Sequence, residues 1–332
     1  MTSSRTPTFV ARSPEDVLAV VPVVLGFAPT DSVVMLTFGG ARTFHARVDL
    51  PTDAADVPDV VDALVEPAVR HRIERVVVVL YSGEERRAGR TAHALARALE
   101  QSGIDVVDCL RADGRCWFPL LGRHRGAPPG GVPYDVSGHP FAAEAVVEGF
   151  VTHASRDDLA RSVAADPARV GRLAAALDAT APPPSTSWLE EGTWARRVVE
   201  AHAGGASVAT DAELVRLLRG LRHLRVRDAA WSLLRREVAK DHVAFWTDVV
   251  RRAPTELVPA PAALLAFAAW LAGHGALAWC ALDRVTEVAP DYVMAARVAE
   301  VLEQALPPDA WVGGFDWTAP AAALPGASPD VA

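Results

Sequence analysis

Residues 76–81, Val-Val-Val-Val-Leu-Tyr, carry no polar side chain that a wet sheet face would need, and residues 33–38 are nearly as apolar. A strand with one solvated face alternates apolar and polar residues; these two do not, so each must be buried on both sides. Such strands require a sheet covered by helices on both faces, which makes the first part of the chain α/β. Residues 43–50 behave differently. Phe44, Ala46, Val48 and Leu50 fall on one side, and His45, Arg47 and Asp49 on the other, so this strand has one wet face. Gly39-Gly40 permits a tight hairpin between it and the strand at 33–38.

Helices are expected between these strands. Ser13-Pro14-Glu15-Asp16 is a start signal, with Ser at the cap, Pro in the first turn and acids at the positive helix end; Gly26 is the stop. A second helix follows from Pro58, with a kink expected at Pro67, and a third runs through Ala92, Leu95, Ala96 and Leu99 to Gly103. Strands are expected at 104–110 and 115–118, joined by an Asp113-Gly114 turn. Helical crossovers between strands imply a mixed sheet with a parallel centre. Residues 142–151 and 156–165 have helical patterns. Residues 180–187, Thr-Ala-Pro-Pro-Pro-Ser-Thr-Ser, are a stiff linker, and only helices follow it. The helices expected there span 188–203, 211–222, 227–238, 241–252, 260–272, 275–288 and 291–304. Ser187-x-x-Glu190 and Thr210-x-x-Glu213 are capping boxes. Leu265, Ala278, Leu282 and Pro290 fall near tetratricopeptide offsets. The expected organisation is an α/β domain with a mixed sheet over 1–179, a linker over 180–187, an all-α domain with a weak tetratricopeptide-like flavour over 188–311, and a disordered tail over 312–332.

Several motifs point to a family. Pro22, Leu25, Gly26, Phe27, Pro29 and Ser32, followed by an apolar strand, resemble the signature of the actinobacterial domain-of-unknown-function family 4192. Similar to its pattern are Ser155-Arg156-Asp157-Asp158-Leu159, Arg227-Asp228-Ala229-Ala230-Trp231, Phe245-Trp246, Ala266-Phe267-Ala268-Ala269-Trp270 and Pro307-Pro308-x-x-Trp311. The resemblance spans roughly residues 13–311. It implies no activity, because none is established for the family. Members are Cys-rich just after the last hairpin of the sheet, where residues 120–133 of this chain have no cysteine.

Composition narrows the chemistry. The 332 residues carry a formal net charge of −8, against generic nucleic-acid binding. Positive charge is almost all arginine, with Lys240 the single lysine. Three cysteines fit a reducing compartment better than a disulfide scaffold. The apolar run 17–28 follows Glu15 and Asp16, the wrong charge for a signal sequence, and is too short to span a bilayer. A cytoplasmic protein without membrane contact is expected. Cys109, Cys116, His124 and His139 lack the paired spacing of zinc ligands, so no metal is expected, and no cofactor is indicated. Gly83-x5-Gly89-Arg90-Thr91 misses the phosphate-loop spacing and its lysine, and is read as a charged surface loop. Trp231, Trp246, Trp270 and Trp279 are read as core.

Two constellations remain. Asp31 and Ser32 enter one strand while Arg111, Arg115 and Trp117 flank a hairpin; if these ends meet, they form a polar pocket for a small ligand or a reaction. Turn formation by Asp31 and Ser32 and packing of Trp117 is the simpler reading. Arg216, Arg219 and Arg222 recur three apart on a helix, within residues 211–240, which carry eight basic and four acidic side chains. This stripe suits an acidic protein partner, though a solvated face with some arginines pairing acids of the first domain is the simpler reading. The leading expectation is an interaction or adaptor protein without catalytic activity. The alternative is an enzyme or small-ligand binder at Asp31, Ser32, Arg115 and Trp117; a third is a nucleic-acid-associated protein using the stripe 216–227.

Overall fold

The computed structural model describes residues 10–40, 43–121, 124, 127–147, 151–181, 187–205 and 207–319. The first helix, α1 (Pro14–Leu25), begins as its sequence dictates. Ser13 Oγ accepts the Asp16 amide at 3.1 Å, and Asp16 Oδ2 accepts the Ser13 amide at 3.0 Å. Such reciprocal capping contributes about 1 kcal/mol. Gly26, at φ +79°, closes the helix in the left-handed conformation. There follow β1 (Ser32–Phe38), β2 (His45–Asp49), α2 (Val57–Arg70), β3 (Arg75–Tyr81), α3 (Glu85–Gln101), β4 (Asp105–Ala112), β5 (Cys116–Leu121), β6 (Val132–Pro133) and α4 (Pro140–Val147). Pro67 lies inside α2 without ending it.

The sheet runs β2-β1-β3-β4-β5-β6. Only β3 and β4 pair in parallel among the described strands, with α3 as their crossover; the other neighbours are antiparallel. The sheet is therefore mixed, with a parallel centre. Its two faces explain the unbroken apolar runs. Val33, Met35, Val76, Val78, Leu80 and Cys109 face Leu64 of α2 and Leu95 and Leu99 of α3. The alternate residues Val34, Leu36, Val77, Val79 and Leu110 face Leu18 and Val21 of α1. Phe44, Ala46, Val48 and Leu50 join the α2–α3 face, as their alternation requires.

Contacts divide the chain into two units, Met1–Asp158 with Glu303–Pro307, and Leu159–Leu302 with Pro308–Ala332. The expected boundary at 180–187 lies downstream of this division, and residues 182–186 fall outside the described residues. The shift comes from a helix that the sequence reading passes over. After α5 (Arg156–Ser162), α6 (Pro167–Ala179) is capped by Asp166, whose Oδ1 accepts the Arg169 amide at 3.2 Å, with Pro167 in its first turn. The second unit continues with α7 (Trp188–Ala203), α8 (Asp211–Gly220), α9 (Leu224–Trp231), α10 (Ala239–Arg252), α11 (Pro259–Leu271), α12 (Gly275–Thr286) and α13 (Val293–Glu303). α6 packs on α8 and α10. Arg252, 5% exposed, ties these elements: it donates to the Ala209 carbonyl at 2.8 Å and pairs with Asp211 and Asp248, and Asp248 also pairs with Arg169 of α6.

α11 is buried all round from Pro261 to Leu271, as a central helix must be, and packs against α10 and α12. Trp246 and Trp270 are core, while Trp231 and Trp279 are half-buried. The chain after α13 does not match the expected disorder at 312–319. Trp311 stacks on Trp231 at 5.6 Å and donates to the Leu234 carbonyl at 3.0 Å; Phe315 meets Trp231 edge-on, and Trp317 is buried against Gly192. Aromatic side chains spaced along an Ala, Gly and Pro-rich stretch supply enough apolar area to order it. Residues 320–332 of the expected tail lie outside the described residues. No helix among the described residues is long and apolar enough to cross a membrane.

Candidate functional site

The five residues expected at a sheet-end pocket share one end of the sheet but occupy separate places. Ser32 pairs with Tyr81, Tyr81 with Ala112, and Ala112 with Trp117, so Ser32 and Trp117 lie in one row three strand spacings apart, about 14 Å. Ser32 Oγ donates to the Thr30 carbonyl at 2.6 Å and accepts Arg47 Nε at 2.9 Å. Asp31 sits at φ +41°, and its carbonyl accepts the Leu50 amide at 2.8 Å; its carboxylate faces Arg87 at 3.3 Å. These contacts anchor the end of β2 to the start of β1. Trp117 turns toward α1 and donates to Glu15 at 2.8 Å. Arg115 lies in the turn between β4 and β5, where the Asp113 carboxylate accepts its amide at 2.9 Å. Arg111 alternates with Leu110 and Ala112 and so lies on the α3 face, opposite Trp117. It is 5% exposed and 3.8 Å over the Phe118 ring. A single pocket joining Asp31 and Ser32 to Arg115 and Trp117 is not what the register produces.

The cysteines and histidines weighed above as a metal cluster are also dispersed. Cys109 packs in the α2–α3 core, where burial pushes its thiol up to about 12. His124 meets Asp108 at 2.8 Å and His139 meets Asp16 at 3.1 Å. Among the described residues, no three His, Cys, Asp or Glu side chains converge as metal ligands would. Gly89, Arg90 and Thr91 lie inside α3 and not in a loop before it, so no phosphate loop forms there.

The arginine stripe divides differently. Arg216 forms a fork with Glu191, at 3.1 Å through Nε and 2.8 Å through Nη2, and lies 4.2 Å over Trp194. Arg219 donates to the carbonyls of Leu177 and Thr180 at 2.7 and 2.8 Å, holding the end of α6. Carbonyls satisfy its hydrogen bonds without cancelling its charge. Arg222 is exposed, and neither it nor Arg219 pairs with a carboxylate among the described residues. Beside them is an open groove of about 430 Å³ lined by Trp188, Glu191, Arg219, Gly220, His223 and Val226, among others. Exposed Leu189 and Leu224 lie in the same stretches, α7 and α9, and Arg225 lies 4.6 Å over Trp188. Sequence reading found the stripe but missed Trp188 and His223. The available signal was an aromatic residue directly after the Ser187 cap, a first-turn position that is ordinarily solvated.

No curated protein and no protein of solved structure matches the chain. The family model described as Domain of unknown function (DUF4192) matches residues 14–309, from the start of α1 to the segment beyond α13, and the chain belongs to that family.

Proposed function

We propose that the chain is a cytoplasmic interaction protein without catalytic activity, whose helical unit docks an acidic protein segment in the groove between α7 and the α8–α9 turn. The observation that carries this reading is Arg219 in the groove wall, which hydrogen-bonds to carbonyls and pairs with no carboxylate among the described residues, while Glu191 in the same wall is engaged by Arg216; exposed Arg222 follows three residues on. Trp188, Leu189 and Leu224 add an apolar surface beside that charge, the mixture on which peptide anchors seat. The open shape of the groove suits a side chain presented by a partner better than an engulfed small molecule. Cys109, buried as a thiol, accords with a reducing compartment. The stripe as a nucleic-acid site is disfavoured by the net charge of −8 and by the internal use of Arg216.

The test is retention on immobilised acidic peptides carrying one leucine, against neutral peptides of the same length. Acidic peptides should be retained, and added salt should release them. Arg222→Glu should weaken retention about tenfold, the scale of losing one charge-assisted contact, with the fold intact because its side chain is exposed. Equal retention of acidic and neutral peptides, or retention unchanged by Arg222→Glu, would sink the reading.

A further inference from the structure

We propose that Arg111 anchors a binding site for the carboxylate of a small organic acid, at the carboxyl end of the parallel pair β3–β4. Its guanidinium is 5% exposed, yet no carboxylate among the described residues pairs with it. Its Nη1 donates to the Ser82 carbonyl at 3.2 Å, and Phe118 covers one face at 3.8 Å. Nε is buried without any hydrogen-bond partner. A carbonyl and a ring supply partial negative charge, and Asp113 acts on Arg111 electrostatically without forming an ion pair with it, whereas buried charges are ordinarily paired directly. The unused edge, Nε with Nη2, is the planar fork that matches the two oxygens of a carboxylate.

A second observation places the same chemistry there. Ser82 begins the short loop into α3, and its Oγ accepts the Glu84 amide at 3.0 Å. Glu84 occupies the helix cap without giving a side-chain hydrogen bond, so the first-turn amides of α3 stay open. The positive end of a long helix therefore lies beside the unpaired guanidinium. In open α/β sheets this position, beyond the carboxyl ends of parallel strands, is where ligands gather. Exposed Glu84 and Glu85 select the class: they oppose a phosphate of nearly two charges more than a carboxylate of one.

The experiment uses the full chain and follows its thermal midpoint in acetate, succinate and inorganic phosphate, each against chloride of equal ionic strength. The midpoint should rise with the logarithm of succinate or acetate concentration and less with phosphate. Arg111→Met, which removes the charge at similar length, should melt without acid at or above the wild-type midpoint and lose the response. Arg111→Lys, which keeps charge but not the fork, should also lose it. No carboxylate-dependent rise in the wild type would overturn the proposal, as would a larger rise with phosphate or a full response in either variant. Unfolding of both variants without acid would make Arg111 a structural cation and would overturn it equally.

Discussion

At the scale of single residues, burial and local hydrogen bonds set the charge states. Asp16 is held below the usual carboxylate range first by the Arg12 amide, although burial opposes it, with the Ser13 amide and His139 adding to the effect. It serves the cap of α1 and is not free to act as a base. His242 of α10 is 4% exposed, and burial pushes its pKa down to about 4. The unfolded chain takes up this proton near pH 6.5, whereas the folded chain resists until about pH 4. The neutral ring thus contributes its full stability above the unfolded value, and this is lost as pH falls through the window toward 4. Between about pH 7 and about pH 5 the loss from this site is on the order of 2 kcal/mol. Urea unfolding at both pH values should show a smaller difference for His242→Leu than for the wild type. Equal differences would assign the acid sensitivity to other groups.

At the scale of elements, α7 and the segment after α13 depend on one another. Gly192 of α7 has no side chain because Trp317 occupies the space: a Cβ there would come within 2.5 Å of the indole. Gly192→Ala in the chain ending at Ala319 should cost about 1–3 kcal/mol through overpacking. In a chain ending at Trp311, which lacks Phe315 and Trp317, the same substitution should be near neutral, because alanine's helix advantage of about 1 kcal/mol over glycine is offset by the close contact with Ala229 Cβ at 3.1 Å. Chemical denaturation of the four chains closes the cycle. Additive effects would mean that Trp317 does not pack where its burial indicates. Central helix α11 gives a plainer expectation: Leu265→Ala, fully buried, should cost about 2–5 kcal/mol by leaving a cavity.

At the scale of the whole molecule, the Pro-rich stretch and the contact division do different things. α6 precedes that stretch but is held to α8 and α10 by Arg169–Asp248, by the Asp166 amide donating to the Arg251 carbonyl at 2.8 Å, and by Arg219. A protease site introduced between Thr180 and Ser187 should therefore yield a nicked protein whose fragments stay together in size-exclusion chromatography. Arg219→Ala should loosen that association, because it removes both bonds to the end of α6. Fragments that separate at once on cleavage would restore the expected boundary at 180–187.

The local chemistry of this chain was legible in its sequence. The capping boxes at Ser13, Ser187 and Thr210, the alternation at 44–50, the unbroken runs of β1 and β3 and the Asp113-Gly114 turn depend on neighbours a few residues apart. α6 could have been read from the same chemistry, in Asp166-Pro167. The fate of the candidate residues could not. Whether Ser32 meets Trp117 depends on β3 and β4 lying between them, and strand order follows from which apolar faces find helices far along the chain. Arg216, Arg219 and Arg222 look equivalent at helical spacing; only packing gives the first a carboxylate, the second two carbonyls and the third to solvent. Sequence alone determined the elements, because their hydrogen bonds and caps are local. Tertiary structure alone decided which charges were neutralised, because a counter-ion or an aromatic cover can come from anywhere in the chain.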